Sequence, residues 1–134
     1  MRRSRAIALT LLWASAVLAL AFGIRYALAP RLMPYHEAFL AGADAGAPRV
    51  VALVLLQYKV FAGTFAAVGV VTAILAPAAA RGEPRAWWAL FALGALLGVP
   101  VAWVTWQVGH GAPVWAPLVN LAVLALALTL ARSR

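Results

Sequence analysis

Four long apolar runs separated by short polar breaks organise the 134-residue chain. The first occupies 6–24, behind Arg2, Arg3 and Arg5. At roughly 19 residues it is close to the ~20 that carry an α-helix across a bilayer and longer than the ~7–15 of a secretory leader. Ala19-Leu20-Ala21 has the small-residue form of a cleavage site, but the length predicts an uncleaved helix over 6–29, ended where Pro30 restricts Ala29. The second run, 50–76, is interrupted by Gln57 and Lys59 and closed by Pro77. A helix of that length measures about 40 Å against a ~30 Å hydrocarbon core, so it must tilt or project. The third run, 85–108, has Trp87 and Trp88 at one end and Trp103 and Trp106 at the other. The two pairs lie about 25 Å apart along a helix, as interfacial aromatic belts require. Pro100 removes one backbone bond there and should bend the helix. The fourth run, 114–131, has Pro117 in its first turn, where proline is tolerated. The longest break is the loop 30–49, in which Pro34 heads a short interfacial helix over 34–41. The pattern predicts a single-domain, all-α membrane protein with four transmembrane helices in an up-down bundle.

Composition agrees with lipid as the solvent and the bilayer as the partner. Hydrophobic residues make up 66% of the chain and charged residues 10%, where a soluble domain carries about 25% charged. The remaining charge is uneven. Arg2, Arg3, Arg5, Arg81, Arg85, Arg132 and Arg134 fall at the termini and in the 78–85 loop, while Arg25, Arg31 and Arg49 fall on the other side. Because cytoplasmic loops carry the excess of Lys and Arg, both termini are expected in the cytoplasm. That topology accounts for the net charge of +8, and no basic stripe with interleaved exposed aromatics points to nucleic acid. The absence of cysteine excludes thiol catalysis, iron–sulfur clusters and cysteine-bound zinc.

Within this frame the polar chemistry collects on the outer side. The stretch Leu55-Leu56-Gln57-Tyr58-Lys59-Val60-Phe61-Ala62-Gly63 sets a glutamine and a lysine in an otherwise lipid-compatible helix. Two residues apart is about 200° around a helix, so the two side chains face apart. Gly63, Ala66 and Ala67 continue the Lys59 face. Small residues admit a neighbouring helix, so Lys59 is expected to point into the bundle, with Gly63 and Ala67 as packing positions. Gln57 lies above Phe61, Thr64 and Phe65, on a bulkier face. Glu37 and Asp44 are the outward carboxylates, and Glu37 is the better partner for Lys59. Three roles of Lys59 stay open: snorkelling to the outer interface, a structural ion pair, and a substrate- or proton-handling group. Arg25 reads as a snorkelling charge at a helix end. Lys59, Gln57, Glu37, His36, His110 and Asn120 together outline an outward-facing polar vestibule.

His36, Glu37 and His110 share that side and would make a two-histidine, one-carboxylate metal site. No ligand-spacing motif supports it, so no metal or other cofactor is expected. His110, between two glycines, reads as a turn residue, and Asn120 as an interhelical hydrogen-bonding group. Gly94 and Gly98 form a GxxxG, a packing position within the bundle or between copies in a homo-oligomer.

Met33-Pro34-Tyr35-His36, Lys59 followed by Gly63, Arg81-Gly82-Glu83 ahead of Trp87-Trp88-Ala89-Leu90, and the closing segment 113–130 resemble a family of small four-helix integral proteins of the bacterial inner membrane. The resemblance covers most of the chain. It implies that location and that helix number, and it carries over no activity and no catalytic residue. The leading expectation is a small accessory or structural protein of the bacterial inner membrane. One alternative is a transporter or binding protein for an anionic or quinone-like molecule, using the vestibule around Lys59. Another is a membrane enzyme or metal protein using His36, Glu37 and His110. No nucleophile-and-base pair, phosphate loop or ligand pattern argues for catalysis.

Overall fold

The computed structural model describes residues 2–41, 48–109 and 111–132, so Asp44, His110 and Arg134 lie outside the described residues. The order of elements is α1 Arg2–Leu28, α2 Pro34–Leu40, α3 Pro48–Ala80, α4 Pro84–Leu93, a π-helical turn Gly94–Gly98, α5 Val99–Val108 and α6 Trp115–Arg132. No strand occurs among the described residues. Four helical stretches are long and apolar enough to cross a membrane: Arg3–Leu28, Pro48–Ala80, Pro84–Val108 and Trp115–Arg132.

Two boundaries differ from the hydrophobic pattern. Arginine is a good helix former, and α1 begins at Arg2, ahead of its apolar run. More informatively, α3 continues through Pro77. A proline inside a helix forfeits a hydrogen bond and crowds the preceding turn, but burial of Ala76, Ala79 and Ala80 holds the last turn in place. The stop comes at Gly82, which takes a left-handed φ of 81°. Its N–H bonds the Ala79 carbonyl at 2.8 Å, and the Glu83 N–H bonds Ala78 at 3.1 Å. These two bonds make a Schellman ending, which needs a residue without a Cβ at that point.

Small residues let α1 and α3 approach closely. Gly23 lies against Ala62 and Ala66, and Gly69 against Ala16 and Leu20. A Cβ at Gly69 would fall 2.6 Å from Leu20 Cγ. The pairings descend α3 as they climb α1, so these two helices run antiparallel. The buried face of α3 is Tyr58, Ala62, Gly69, Thr72, Ala76, Ala79 and Ala80. It lies one residue, about 100°, round from the predicted one. Lys59, Gly63 and Ala67 are exposed, and a Cβ at Gly63 would meet nothing within 4 Å. The expectation that Gly63 and Ala67 receive a helix is therefore corrected. It rested on turning the lysine inward, whereas Lys59 finds a partner at the end of α1.

α6 packs on both α1 and the α4–α5 stretch. A Cβ at Gly94 would collide with Leu124, and one at Gly98 with Leu121. Farther along, Trp87 Nε1 donates to the Leu128 carbonyl at 2.8 Å, and the Arg132 guanidinium stacks 4.2 Å from the Trp87 ring centre. The main core joins Ala8 and Leu12 of α1 to Ala76, Ala79 and Ala80 of α3, Ala86 and Leu90 of α4, and Leu124, Ala127, Leu128 and Ala131 of α6. The π turn precedes Pro100. That proline has no N–H for the Leu96 carbonyl and its ring crowds it, so a widened turn absorbs the misfit.

Candidate functional site

A short helix closes one end of the bundle. Pro34 opens α2, and Met33 before it is extended (φ −73°, ψ 149°), as a residue preceding proline tends to be. Leu32 and Met33 are buried with Tyr58 of α3 in a second, smaller core. All three tyrosines of the chain, Tyr26, Tyr35 and Tyr58, meet here with His36. Tyr58 is 1% exposed, so its hydroxyl must find partners within the protein. Its oxygen accepts the Met33 N–H at 3.1 Å, which leaves the hydroxyl proton for His36 Nδ1, 2.5 Å away, and so assigns Nδ1 as the acceptor. A neutral imidazole with Nδ1 as acceptor carries its proton on Nε2. Burial pushes the His36 titration below its usual 6.5, which favours that neutral form. Tyr35 donates to Met33 Sδ at 2.7 Å. Burial, followed by the contact with Tyr26, pushes the Tyr35 hydroxyl well above the ordinary tyrosine range, so it stays protonated. Tyr26 stacks on Phe65 with centroids 5.8 Å apart and meets Tyr58 edge-on at 5.2 Å.

Below this cluster lies a cavity of about 310 Å³. Its walls are mainly apolar: Phe22 from α1, Phe65 and Val68 from α3, and Leu97, Val101 and Val104 around the π turn and α5. His36, Tyr26 and Tyr35 line one part, and Ser15, Thr72, Thr105 and Asn120 also contribute. No Asp, Glu, Lys or Arg among the described residues lines it. Ser15 Oγ donates to Asn120 Oδ1 at 2.7 Å, joining α1 to α6. That bond uses the amide oxygen, so the Asn120 Nδ2 donor is left with no protein partner among the described residues. It is not sealed away, since no buried side-chain nitrogen or oxygen among the described residues lacks a partner.

Of the residues expected in a polar vestibule, His36 and Asn120 line the cavity. Lys59 does not: its Nζ donates to the Ala27 carbonyl at 2.6 Å. Ala27 lies in the last turn of α1, where carbonyls lack helical partners and a cation is favoured by the helix dipole. Gln57 is exposed on α3 and Glu37 on α2. Among the described residues Glu37 forms no ion pair with Lys59, and the salt bridge present is Arg81–Glu83 at 2.8 Å. Lys59, Gln57 and Glu37 therefore take no part in lining this mainly apolar cavity. His110 lies outside the described residues, and no three His, Asp or Glu side chains gather among those described. Tyr26, Tyr35, Tyr58 and Ser15 were missed as site residues. For Tyr58 a signal was present: a large residue at the head of the small-residue series Ala62, Ala66 and Gly69.

No protein-family model, curated protein or solved structure matches the chain.

Proposed function

We propose that the chain is a small accessory protein of the bacterial inner membrane whose task is to hold a lipophilic small molecule within the bilayer. In this reading the four spans form an up-down bundle with both termini cytoplasmic, supported by the seven-to-three distribution of arginines. The single observation that carries the binding role is the cavity of about 310 Å³ with apolar walls and a few polar groups, the usual make-up of a small-molecule site.

The test is mass spectrometry of organic extracts from protein purified in a mild detergent, for wild type and Val68→Trp, whose indole intrudes on the cavity from the α3 wall. A stoichiometric lipophilic molecule in the wild type that is lost from the variant supports the proposal. Identical extracts from both overturn it. Orientation is tested separately, since the chain has no cysteine of its own. Ala38→Cys should react with a membrane-impermeant maleimide in intact cells and Arg3→Cys should not; the reverse pattern inverts the topology.

A further inference from the structure

We infer that the cavity takes an uncharged amphiphile: an apolar chain ending in a carbonyl head group that accepts a hydrogen bond from His36 Nε2. This deepens the proposed binding function and rests on it. Three observations lead to it.

The first is charge. No Asp, Glu, Lys or Arg among the described residues lines the cavity, and Lys59 and Glu37 are exposed on the outer surfaces of α3 and α2. A charged head inside would be desolvated without a counter-ion, which an apolar interior strongly disfavours. A role for Lys59 in drawing in an anion is not part of this site, because its ammonium group is engaged by the Ala27 carbonyl.

The second is hydrogen-bond capacity. Several hydroxyl protons at the site are already spent: Tyr58 on His36, Tyr35 on Met33, Ser15 on Asn120 and Thr105 on the Val101 carbonyl. The nitrogen-borne donors that remain without protein partners among the described residues are His36 Nε2 and Asn120 Nδ2. Both residues line the cavity. A ligand suited to spare N–H groups brings an acceptor oxygen, and a carbonyl supplies one without charge.

The third is shape and depth. On α1 the lining runs from Ser15 to Tyr26, about 16 Å along a helix, so the space is a slot that suits an extended chain. An amphiphile keeps its polar end at the level of the interface, which is the level of α2 and His36 in the proposed topology. The ring of Tyr35, 4.4 Å from His36, and the stacked Tyr26–Phe65 pair give that end flat walls. Phe22, Val68 and Leu97 line the remainder for the chain.

The experiment uses the intact protein in detergent and four probes of one chain length: dodecane, dodecan-2-one, dodecanoate and dodecylammonium. Apparent Kd values are measured by isothermal titration calorimetry for wild type, His36→Phe, His36→Gln, Asn120→Leu and Val68→Trp. Each probe partitions into the micelle equally with every protein, so ratios between proteins report the cavity alone. His36→Phe should weaken dodecan-2-one about 3- to 10-fold, the worth of one hydrogen bond, and leave dodecane unchanged. Retained dodecane binding shows that the variant is folded. His36→Gln keeps an acceptor for Tyr58 and an N–H for the ligand, so it should restore ketone binding. The inference is overturned if His36→Phe leaves the ketone unchanged, if Asn120→Leu alone weakens it, or if the charged probes respond to Val68→Trp as strongly as the ketone does. If no probe, dodecane included, distinguishes wild type from Val68→Trp, the binding function itself fails and the head-group assignment fails with it.

Discussion

Removing a single oxygen, by Tyr58→Phe, tests whether the Tyr58 hydroxyl fastens α2 to the bundle. That oxygen accepts the Met33 N–H and donates to His36 Nδ1, in a side chain 1% exposed with Met33 7% exposed beside it. The phenylalanine ring fills the same space, so no cavity term enters. Two hydrogen bonds at about 0.5–1.5 kcal/mol each, with a buried N–H left unsatisfied, give a loss of about 2–3 kcal/mol. Tyr26→Phe is the control: its hydroxyl contact to Tyr35 is 3.5 Å long, at the limit of a hydrogen bond, and should be worth under about 0.5 kcal/mol. The assay is reversible unfolding in mixed micelles with rising SDS, followed by circular dichroism. Combining Tyr58→Phe with His36→Phe completes a double-mutant cycle, with an expected coupling of about 1 kcal/mol because the two residues share one bond. A Tyr58→Phe protein within about 0.5 kcal/mol of wild type, or a strictly additive double variant, would refute the reasoning.

Three further outcomes follow from the same geometry. Gly69→Val should destabilise by about 2 kcal/mol or more, since its Cβ meets Leu20 and the Ala16 carbonyl; Gly63→Ala, in open space, should be neutral or stabilise by up to about 1 kcal/mol, and equal effects in SDS unfolding would show the α1–α3 contact to be misplaced. Lys59→Met should cost about 0.5–1 kcal/mol through loss of the α1 end cap, while Glu37→Ala stays within about 0.5 kcal/mol of wild type; a large Glu37 effect would restore an ion pair. Burial lowers the His36 titration below 6.5, so the unfolded chain takes up its proton first as pH falls. Stability should therefore be level above about pH 6.5 to 7 and decline below that toward the folded-state value, with the decline reduced in His36→Gln; unfolding midpoints across that range measure it.

The spans were legible because lipid imposes a length and a hydropathy that few other solutions satisfy. Their ends were less so. Pro77 reads as a stop, yet the packing of Ala76, Ala79 and Ala80 outweighs it, and packing is not written in the local sequence. The face of α3 was misread for a related reason. Lys59 was assumed to seek the interior, and its actual partner, the Ala27 carbonyl, lies 32 residues earlier. The tyrosine–histidine cluster depends on contacts of the same range: Met33 and His36 reach Tyr58 across 25 and 22 residues. Tyr58 could have been singled out by its place above Ala62 and Gly69, but nothing local says that α2 folds over it. Gly94 and Gly98 were readable as close-approach positions, since that motif reports spacing alone; their partners Leu124 and Leu121 were not.

The π turn at Gly94–Gly98 also bears on how this chain tolerates changes in length. A π turn holds one residue more than the α turn it replaces, and the helix on either side keeps its direction. Removing one residue there closes the widened turn to α-geometry and brings back the local proline misfit it absorbs, while α4 still meets Leu128 through Trp87 and α5 still turns Val101 and Val104 to the cavity. The same deletion elsewhere in the span, at Ala89 for instance, rotates everything beyond it by about 100°. Val104 would then leave the cavity wall for the exposed direction that Trp103 now takes. Insertions and deletions in relatives of this span should therefore concentrate within those five residues.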